Sequence, residues 1–373
     1  MGERKYFSDL KREVIDAGTC TLCGGCVATC RLLDLGFLSM DVPEGRPVKG
    51  ESAEQLSATC SSCFSPVGRP ELRAGLQCAI DCGYCYAQCP QVVKPVAREG
   101  LDELYEVRSK DEELRKACNN GGAALALLAS ALADAVVEGC IMVNSGGAVP
   151  EVRVAMSKAQ LLENAGGTYG SAPVLTGVAD AILKYGLWSV ALVGAPCQLE
   201  AYEQMLAVGR GTHNAHNFAS AVRLRLGIFC EGVYSLDAVK EHLERERGIP
   251  RDAITRLALK DDGLHVYAGD DELLHAGPEE LEAFKRGCCK LCEDFVGRFA
   301  DISVGHFGSP AGASTVIIHT DFGKEVFDRA LEWGFLEAKP LDKSGVELIQ
   351  RRQQEKKAAG KAEQKRRKKV AKK

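Results

Sequence analysis

The sequence contains no long uninterrupted run of apolar residues. Its longest apolar stretch, residues 121–137, is interrupted by Ser130 and Asp134, whereas a membrane-spanning helix needs roughly 18 to 20 apolar residues. The first residues are charged and lack the apolar core of a secretory signal. We therefore expect a cytoplasmic protein without a membrane span.

The motifs of several common enzyme classes are also missing. There is no G-x-G-x-x-G that follows a strand and opens a helix, and no G-x-x-x-x-G-K followed by Ser or Thr. These absences argue against a Rossmann dinucleotide site and against a P-loop nucleotide site. There is no H-E-x-x-H helix and no convincing nucleophile triad. No side chain is therefore assigned a catalytic role.

Charge of opposite sign prevails in the body of the chain and at its basic end. Residues 351–373 carry a net charge of +10, so that the formal net charge of −4 leaves −14 for residues 1–350. The last segment begins near Gly345 and has almost no apolar stripe, which predicts a mobile tail or a solvated helix. Three roles stay open: a solubilising end, an arm that docks on an acidic partner or anionic membrane surface, and a nucleic-acid contact. The absence of interleaved aromatic residues disfavours any specific nucleic-acid binding.

Cysteine, in contrast, is abundant, with 17 residues. In a chain without a secretory signal, so many thiols favour metal binding over disulfide formation. Ten of them lie between Cys20 and Cys89, in a region of short loops, glycine and proline. This region is expected to be a small domain organised by cofactors.

The spacing of these cysteines is typical of iron-sulfur proteins. A first run has the spacing C-x2-C-x2-C-x3-C and comprises Cys20, Cys23, Cys26 and Cys30. A second run repeats the end of this pattern before Pro90 and comprises Cys78, Cys82, Cys85 and Cys89, although Cys78 stands one residue further back than usual. In the two-cluster ferredoxin arrangement, the fourth cysteine of each run binds the cluster of the other run. One [4Fe-4S] cluster would then be held by Cys20, Cys23, Cys26 and Cys89, and the other by Cys78, Cys82, Cys85 and Cys30.

Structural zinc is the main alternative, because zinc also takes four thiolates from paired C-x2-C motifs. Zinc pairs are usually separated by a finger or ribbon, whereas Cys20 and Cys30 enclose four cysteines within eleven residues. This short span favours a cubane. Cys60 and Cys63 form one more C-x2-C, and the sequence leaves open whether they replace Cys78, form a redox pair or bind nothing.

The pattern changes after the second cysteine run. From about residue 118 to residue 340, helices such as 123–137 alternate with short apolar strands such as 189–193 and 224–229. Such alternation is typical of an α/β domain.

A domain boundary is expected near residue 100. Pro90 and Pro95, followed by the largely acidic stretch 99–113, predict a linker there. The expected fold class is therefore α+β followed by α/β. Its parts are a ferredoxin-like domain with two [4Fe-4S] clusters over residues 1–100, a larger α/β domain over residues 101–344 and a basic tail over residues 345–373.

Five further cysteines are scattered through the second region, namely Cys197, Cys230, Cys288, Cys289 and Cys292. Cys197 and Cys230 each end a predicted strand, and the loops that follow the strands of an open α/β sheet converge at one edge. Both a third cluster and a set of buried thiols agree with this spacing. Cys118 and Cys140 stand alone and are expected to be core thiols.

Two polar, glycine-rich segments are candidates for binding an anionic cofactor. The first comprises Asn119, Asn120, Gly121 and Gly122 and precedes a predicted helix, whose first N–H groups can bind a pyrophosphate. An ordinary helix cap gives the same pattern. The second comprises Gly166, Gly167, Thr168, Tyr169 and Gly170 and is equally compatible with a simple turn.

Five blocks of sequence together resemble a known family. In chain order they are GGAALALLASAL from Gly121, GGTYGSAPV from Gly166, VGAPCQLEA from Val193, LGIFCEG from Leu226 and CCKLCEDFVGRFADISVGHFGSPAGASTVII from Cys288. Over roughly residues 105–340 they are similar to the flavin-binding domain of the coenzyme F420-reducing hydrogenase beta family. With a two-cluster ferredoxin domain in front, the whole chain resembles the electron-input subunit of F420H2 dehydrogenases.

The resemblance implies one bound FAD, a third [4Fe-4S] cluster and a docking face for coenzyme F420. Matched by position, the third cluster's ligands are Cys197, Cys230, Cys289 and Cys292, while the adjacent Cys288 leaves that choice open. The implied cofactor-binding residues are Asn120, Gly121, Gly122, Lys158, Gly167, Thr168, Tyr169 and Gly170. Lys158, like Arg153 and Lys290, is a candidate for meeting the anionic tail of the deazaflavin.

The expected function is that of an FAD- and [4Fe-4S]-containing oxidoreductase subunit. It would exchange a hydride with coenzyme F420 and pass single electrons to or from a partner complex. That partner would be a redox complex of the hydrogenase, formate dehydrogenase, F420H2 dehydrogenase or heterodisulfide reductase type, through which the chain would reach the inner face of the membrane. Two alternatives stay open: a ferredoxin-dependent reductase of an organic, chlorophyll-type substrate, and a non-catalytic iron-sulfur subunit.

Overall fold

The computed structural model describes the chain almost continuously from residue 271 onwards and in segments before it. The described residues are 5–33, 35, 38–40, 70–72, 82–97, 103–118, 120–144, 151–165, 172–209, 218, 220–234, 236–250, 253, 256–260, 263–268 and 271–370. The predicted ligand Cys78, the pair Cys60 and Cys63, and the glycine-rich loop 166–170 lie outside them.

The described strands form three sheets. In chain order the strands are β1 (Leu38–Met40), β2 (Pro70–Leu72), β3 (Glu103–Ser109), β4 (Gly139–Asn144), β5 (Glu151–Ala155), β6 (Val190–Gly194), β7 (Val222–Ile228), β8 (Arg256–Lys260), β9 (Gly263–Ala268), β10 (Asp271–Ala276), β11 (Ile302–Gly305), β12 (Ser314–Ile318) and β13 (Leu336–Pro340). The largest sheet has eight strands in the order β13-β3-β12-β11-β7-β6-β4-β5.

The centre of this large sheet is parallel. Strands β11, β7, β6 and β4 pair in parallel, while β12, β3, β13 and β5 are added antiparallel at the two sides. β6 and β7 match the predicted strands 189–193 and 224–229 to within two residues, so the α/β class of this region is confirmed. Because β6 and β7 are parallel neighbours, the loops after them lie side by side at one edge of the sheet.

Helices cover both faces of the large sheet. In chain order the described helices are α1 (Phe7–Leu10, extended by the π-helical Lys11–Ile15), α2 (Gly25–Leu32), α3 (Tyr84–Ala87), α4 (Glu112–Lys116), α5 (Ala123–Ala133), α6 (Lys158–Glu163), α7 (Thr176–Tyr185), α8 (Pro196–Gly209), α9 (Leu236–Arg247), α10 (Pro278–Phe284), α11 (Gly287–Lys290), α12 (Asp321–Glu332) and α13 (Lys343–Val370). One core packs α5 and α12 against the sheet, and a second core packs α7 and α8 against its other face. Since both faces are covered, β6 is apolar throughout and all five of its residues are buried.

The prediction of a linker at residues 99–113 is wrong for the described residues 103–113. β3 occupies residues 103–109 and pairs with both β12 and β13 inside the large sheet. Its acidic residue Glu106 is buried, with a carboxylate oxygen 2.9 Å from the Lys339 Nζ on β13 and another 3.5 Å from Arg108. Glu106, one of the charges that suggested a solvated linker, is thus paired with cations inside the sheet.

Smaller units flank the large sheet. Around α2, the residues Phe7, Leu10, Val14 and Val27 form an apolar core that also includes Cys30, and β1 pairs with β2 beside it. Strands β8, β9 and β10 form an antiparallel sheet that packs against α9 and α10. The ferredoxin-like fold of residues 1–100 stays a prediction.

The basic end of the chain is part of helix α13 in the structure. This helix has little apolar surface, yet Gly345, Ile349 and Gly360 are buried against the body of the protein. The structure therefore differs from the expectation of a mobile tail. Most contacts of this helix with the body are polar, so an analysis of hydrophobic periodicity does not detect them. Within the described residues, every helix is too short or too polar to cross a membrane.

Candidate functional site

A first group of thiols surrounds a cavity at the start of α2. We call Cys20, Cys23, Cys26 and Cys89 the N-terminal thiol group. All four line the cavity, whose volume is about 30 Å³. A cavity of about 10–15 Å³ holds one water molecule, so this cavity has room for more than one. These are the four cysteines that the sequence assigned to one cluster.

The chain is bent sharply to bring these thiols together. Leu22 has a φ of 59° and Gly24 a φ of 82°, both in the left-handed region. A left-handed φ at a non-glycine residue costs roughly 1–2 kcal/mol and often marks a functional site. The backbone N–H of Leu22 donates to the Cys20 Sγ at 3.4 Å, a contact of the kind that stabilises a thiolate ligand.

Burial strongly disfavours free thiolates in this group. It raises the pKa of Cys26 well above the usual value, and the neighbouring Cys23 and Cys20 add to the effect. Burial likewise raises the pKa of Cys89 to about 12. Such thiols ionise when a metal cation takes their lone pairs. Four partly buried thiols around one small cavity therefore fit the donor set of an iron-sulfur cluster.

The predicted ligands of the neighbouring cluster are less completely defined. Cys85 lines the same cavity from α3, while Cys30 is buried on α2 in the core that Cys85 packs against. Cys82 is partly buried at the start of the described segment, and Cys78 lies outside the described residues. Within the described part of the chain, no three Cys, His, Asp or Glu side chains have the geometry that holds a single metal ion.

A second group of thiols lies at the carboxyl edge of the parallel strands. We call Cys197, Cys230, Cys289 and Cys292 the sheet-edge thiol group. Cys197 follows β6 at the start of α8 and Cys230 follows β7, while Cys289 lies on α11 and Cys292 just after it. Burial raises the pKa of Cys197 well above the usual value, and the nearby Cys292, Cys230 and Cys289 raise it further. The structure thus brings together four cysteines from three separate parts of the sequence.

Backbone hydrogen bonds position these loops. The Cys230 N–H donates to the Phe295 carbonyl at 3.0 Å, and the Arg286 N–H donates to the Val233 carbonyl at 2.9 Å. At the start of α8, the Gln198 side chain accepts from the Ala195 N–H at 2.7 Å. The first two bonds join the loop after β7 to the segment around α11, and the third fixes the turn between β6 and α8.

Cys288 and Cys289 are alternative candidates for one ligand position. Their sulfur atoms lie 3.9 Å apart, and their mutual hydrogen bond lowers the pKa of Cys288 and raises that of Cys289. The backbone N–H of Val233 donates to the Cys289 Sγ at 3.4 Å. Backbone N–H groups commonly point at ligand sulfurs, which favours Cys289.

The two thiol groups are close neighbours. The Arg286 Nη2 donates to the Cys20 carbonyl at 3.1 Å, and the Leu175 N–H donates to the Cys23 carbonyl at 3.0 Å. Electrostatically, Cys23 is among the groups that raise the pKa of Cys197. The loop of one group therefore packs directly on the loop of the other.

The predicted flavin-site residues are only partly described. Gly122 starts α5 with a φ of 74°, and Gly121 is packed so closely that a Cβ would lie 2.6 Å from the Ser314 nitrogen. The Gly122 N–H also contacts the Asn120 carbonyl. These contacts agree with an ordinary helix start as well as with a binding loop, so the flavin assignment stays a prediction.

The basic candidates for a deazaflavin tail are engaged with nearby groups. The Lys158 Nζ lies 2.5 Å from Asp111 and 2.9 Å from Glu113. Arg153 pairs with Glu151 on the exposed strand β5, and the Lys290 Nζ donates to the Ala283 carbonyl at 3.4 Å. Their role in ligand binding stays a prediction.

Sequence reasoning missed Lys356 on α13. Its Nζ donates to the Cys230 carbonyl, within the sheet-edge thiol group. No apolar periodicity draws attention to this residue, which is one of twelve Lys and Arg in the last 23 residues. A glycine in a charged helix, Gly360, was the available sign that the helix packs closely against something.

Comparisons with known proteins match the part of the chain that carries the large sheet. The N-terminal model of the coenzyme F420 hydrogenase/dehydrogenase beta subunit matches residues 104–179. The C-terminal model of the same subunit matches residues 187–344. The matched region thus begins in β3 and ends just after the start of α13.

Individual proteins are similar over longer or shorter parts. The chain is 30% identical over 344 residues to an uncharacterized protein of Methanocaldococcus jannaschii, covering 89% of this chain and 92% of that protein. It is 30% identical over 254 residues to the coenzyme F420 hydrogenase subunit beta of Methanothermobacter thermautotrophicus, covering 67% of this chain and 89% of that one. A solved structure of the F420-reducing [NiFe] hydrogenase complex from Methanosarcina barkeri aligns with a TM-score of 0.61 and 26% identity, over 74% of this chain and 96% of the matched chain.

Proposed function

Because this chain belongs to the coenzyme F420 hydrogenase/dehydrogenase beta subunit family, we propose that it exchanges a hydride with coenzyme F420 and relays single electrons through iron-sulfur clusters. Bound FAD would supply the conversion between two-electron and one-electron chemistry. The observation that carries the proposal is the hydrogen bond from Arg286, just before α11, to the Cys20 carbonyl, which places the loops of the two thiol groups side by side. It supports a continuous path for electrons between the two halves of the chain.

The residues of the two groups would each hold one [4Fe-4S] cluster. The N-terminal thiol group has partly buried thiols around a cavity. The sheet-edge group has its thiols after β6, after β7 and around α11, and backbone hydrogen bonds join the loop after β7 to the segment around α11. Cys30, Cys82 and Cys85, together with Cys78, would hold a third cluster. The chain's own contribution is to exclude water from the thiols and to keep the loops at a short separation.

The flavin would lie near the start of α5 and the loop 166–170. In this proposal the N–H groups around Asn120, Gly121 and Gly122 bind its pyrophosphate, and Gly167, Thr168, Tyr169 and Gly170 border it. Lys158 would contribute positive charge to the same region. Asp111 and Glu113, which now contact Lys158, would keep that ammonium in position.

Electrons would pass to or from a partner redox complex. One relative is named as a subunit of a coenzyme F420 hydrogenase, and a subunit of this kind needs a second protein that uses the electrons. We therefore propose that the chain acts within a complex of the hydrogenase, dehydrogenase or reductase type.

The first test is cofactor content followed by reduction. Anaerobically purified protein is expected to contain about twelve iron atoms, as three cubanes, and one FAD. On anaerobic titration with reduced coenzyme F420, the flavin absorbance should bleach before the broad cluster absorbance. Protein without flavin that does not bleach would contradict the proposal and leave an iron-sulfur carrier.

Matched cysteine variants locate the clusters. Cys292→Ala should lose about four iron atoms and interrupt reduction of the remaining clusters by reduced F420. Cys118→Ala changes a thiol that is partly buried outside both groups and should keep all iron. Bleaching by reduced ferredoxin but not by reduced F420 would favour the ferredoxin-dependent reductase instead.

A further inference from the structure

Helix α13 lies across the sheet-edge thiol group through a stripe of mostly polar residues. The residues of this stripe are Ile349, Gln353, Lys356, Gly360, Gln364 and Arg367. They follow one another at intervals of three or four, so they share one face of the helix. The matched family region ends at residue 344, which means that nearly all of α13 is additional to it.

The stripe is fixed to the loop that carries Cys289 and Cys292. The Gln353 side chain accepts from the Phe295 N–H at 2.9 Å and donates to the Glu293 carbonyl at 2.9 Å. The Gln364 Nε2 donates to the Leu291 carbonyl at 3.2 Å. Gly360 lies so close that a Cβ would be 2.6 Å from the Cys292 carbonyl oxygen. The helix and the cysteine loop therefore form a single packed unit.

This docking brings a cation to the thiols. Lys356 is partly buried, and its ammonium donates to the Cys230 carbonyl. A lysine side chain is positively charged at neutral pH.

We propose that Lys356, positioned by α13, raises the reduction potential of a [4Fe-4S] cluster held by the sheet-edge thiol group. The inference rests on the proposed function for the presence of that cluster. Reduction adds one negative charge to the cluster, so a nearby cation in a poorly hydrated site stabilises the reduced form more than the oxidised form. Lys356 acts through the electrostatic surroundings of the cluster and is therefore a positioning residue, not a ligand.

The test is a redox titration of the full chain, followed by electron paramagnetic resonance. Lys356→Gln keeps an N–H donor for the Cys230 carbonyl but removes the charge. At the wild-type midpoint potential, the ratio of reduced to oxidised cluster should fall about tenfold, a negative shift of about 59 mV for a one-electron couple. The paramagnetic resonance signal that Cys292→Ala lacks belongs to the cluster of the sheet-edge thiol group.

Two further variants control for charge and position. Lys356→Arg keeps the charge and should retain a midpoint close to that of the wild type. Lys361→Gln removes the same charge from an exposed position of the same helix and should leave the midpoint unchanged.

The outcomes separate this inference from the proposed function. A Lys356→Gln protein with a full cluster and an unchanged midpoint would overturn the role of Lys356 while leaving the proposed function intact. Loss of iron from Lys356→Gln would also overturn it, because Lys356 would then be needed to hold the cluster and not to adjust its potential. Wild-type protein without a cluster in the sheet-edge group would contradict the proposed function itself.

Discussion

Gly24 illustrates how a single residue shapes the N-terminal thiol group. Its φ of 82° is left-handed, and it lies between Cys23 and Cys26 at the start of α2. A Cβ at this position would lie 2.8 Å from the Pro173 carbonyl oxygen. Glycine is thus required twice, once by the backbone conformation and once by the close approach of the neighbouring loop.

Gly24→Ala and Gly18→Ala separate these two requirements. Gly18 also has a left-handed φ, of 68°, but a Cβ there would meet nothing within 4 Å. Gly18→Ala should therefore cost only the backbone strain of about 1–2 kcal/mol. Gly24→Ala should cost a further 1–3 kcal/mol or so from overpacking.

Anaerobic thermal unfolding and iron content measure the difference. Gly24→Ala is expected to unfold at a lower temperature than Gly18→Ala and to retain less iron, because the displaced backbone carries Cys23. Equal stability and equal iron in the two variants would show that the contact with Pro173 is unimportant.

At the scale of elements, α13 is held by specific polar contacts and not by an apolar stripe. Among its residues, Ile349 packs in a small core with Phe295 and Leu341, while Gln353 and Gln364 bind backbone carbonyls of the cysteine loop. A solvated helix of the same sequence would leave these groups in water. A docked α13 and a solvated α13 should respond in opposite directions to a substitution of Gly360.

Gly360→Ala distinguishes a docked helix from a solvated one by the sign of its effect. In a solvated helix, alanine is more favourable than glycine by about 1 kcal/mol. In the docked helix, the added methyl would lie 2.6 Å from the Cys292 carbonyl oxygen, so we expect α13 to be displaced. Limited proteolysis of the C-terminal region should then be several-fold faster than in the wild type.

The neighbouring position provides the control. Ala359→Gly removes a methyl group from an exposed site and should weaken the helix by about 1 kcal/mol without disturbing the cysteine loop. If Gly360→Ala made the C-terminal region more resistant to proteolysis than the wild type, the docked arrangement would be contradicted.

At the scale of the whole molecule, Glu200 marks the junction between the two thiol groups. It lies on α8, one turn after Cys197, and its side chain is only 17% exposed. Burial raises the pKa of Glu200 to about 7, although Lys94, with its Nζ 3.9 Å away, opposes the shift. The same carboxylate is among the groups that raise the pKa of Cys23.

This carboxyl group should make stability depend on pH. Because the pKa of Glu200 is higher in the folded state, its contribution to stability is complete below the unfolded pKa of about 4.5 and is lost as the pH rises through about 7. Glu200→Gln should remove this dependence and stabilise the protein at pH 8 by on the order of 2–3 kcal/mol at most. Anaerobic unfolding at about pH 5.5 and at about pH 8 measures this pH dependence of stability.

An exposed carboxyl group serves as the comparison. Glu163→Gln, at the exposed end of α6, should leave the difference between the two pH values as in the wild type. If Glu200→Gln kept the wild-type pH dependence, the buried carboxyl would not be its source.

Local sequence was sufficient for the features that depend on short spacing. The runs around Cys20 and Cys89 predicted four thiols that the structure places around one cavity. Strand β6 followed from an apolar run that is buried throughout, and β7 from a segment whose leucines are buried although Arg223 is exposed. The family was recognisable from ordered blocks of sequence, and the matches over residues 104–344 confirm it.

Sequence reasoning was misleading for two charged segments that have little apolar pattern. The acidic stretch around Glu106 looked like a linker because its partner Lys339 is more than 200 residues away. The basic end of the chain looked solvated because its docking contacts are made by glutamine, glycine and lysine. In both cases the stabilising partner lies on another element, and no local window of sequence contains it.

By itself, then, the sequence determined the cysteine runs, the α/β class and the family, because these depend on spacing along the chain. Only the tertiary structure decided that Arg286 joins the loops of the two thiol groups, that Glu200 is buried near Cys23, and that Lys356 reaches the Cys230 carbonyl. Contacts of this kind arise when parallel strands deliver distant loops to one edge of a sheet. Their energies depend on burial and on charges from other elements, which become defined when the chain has folded.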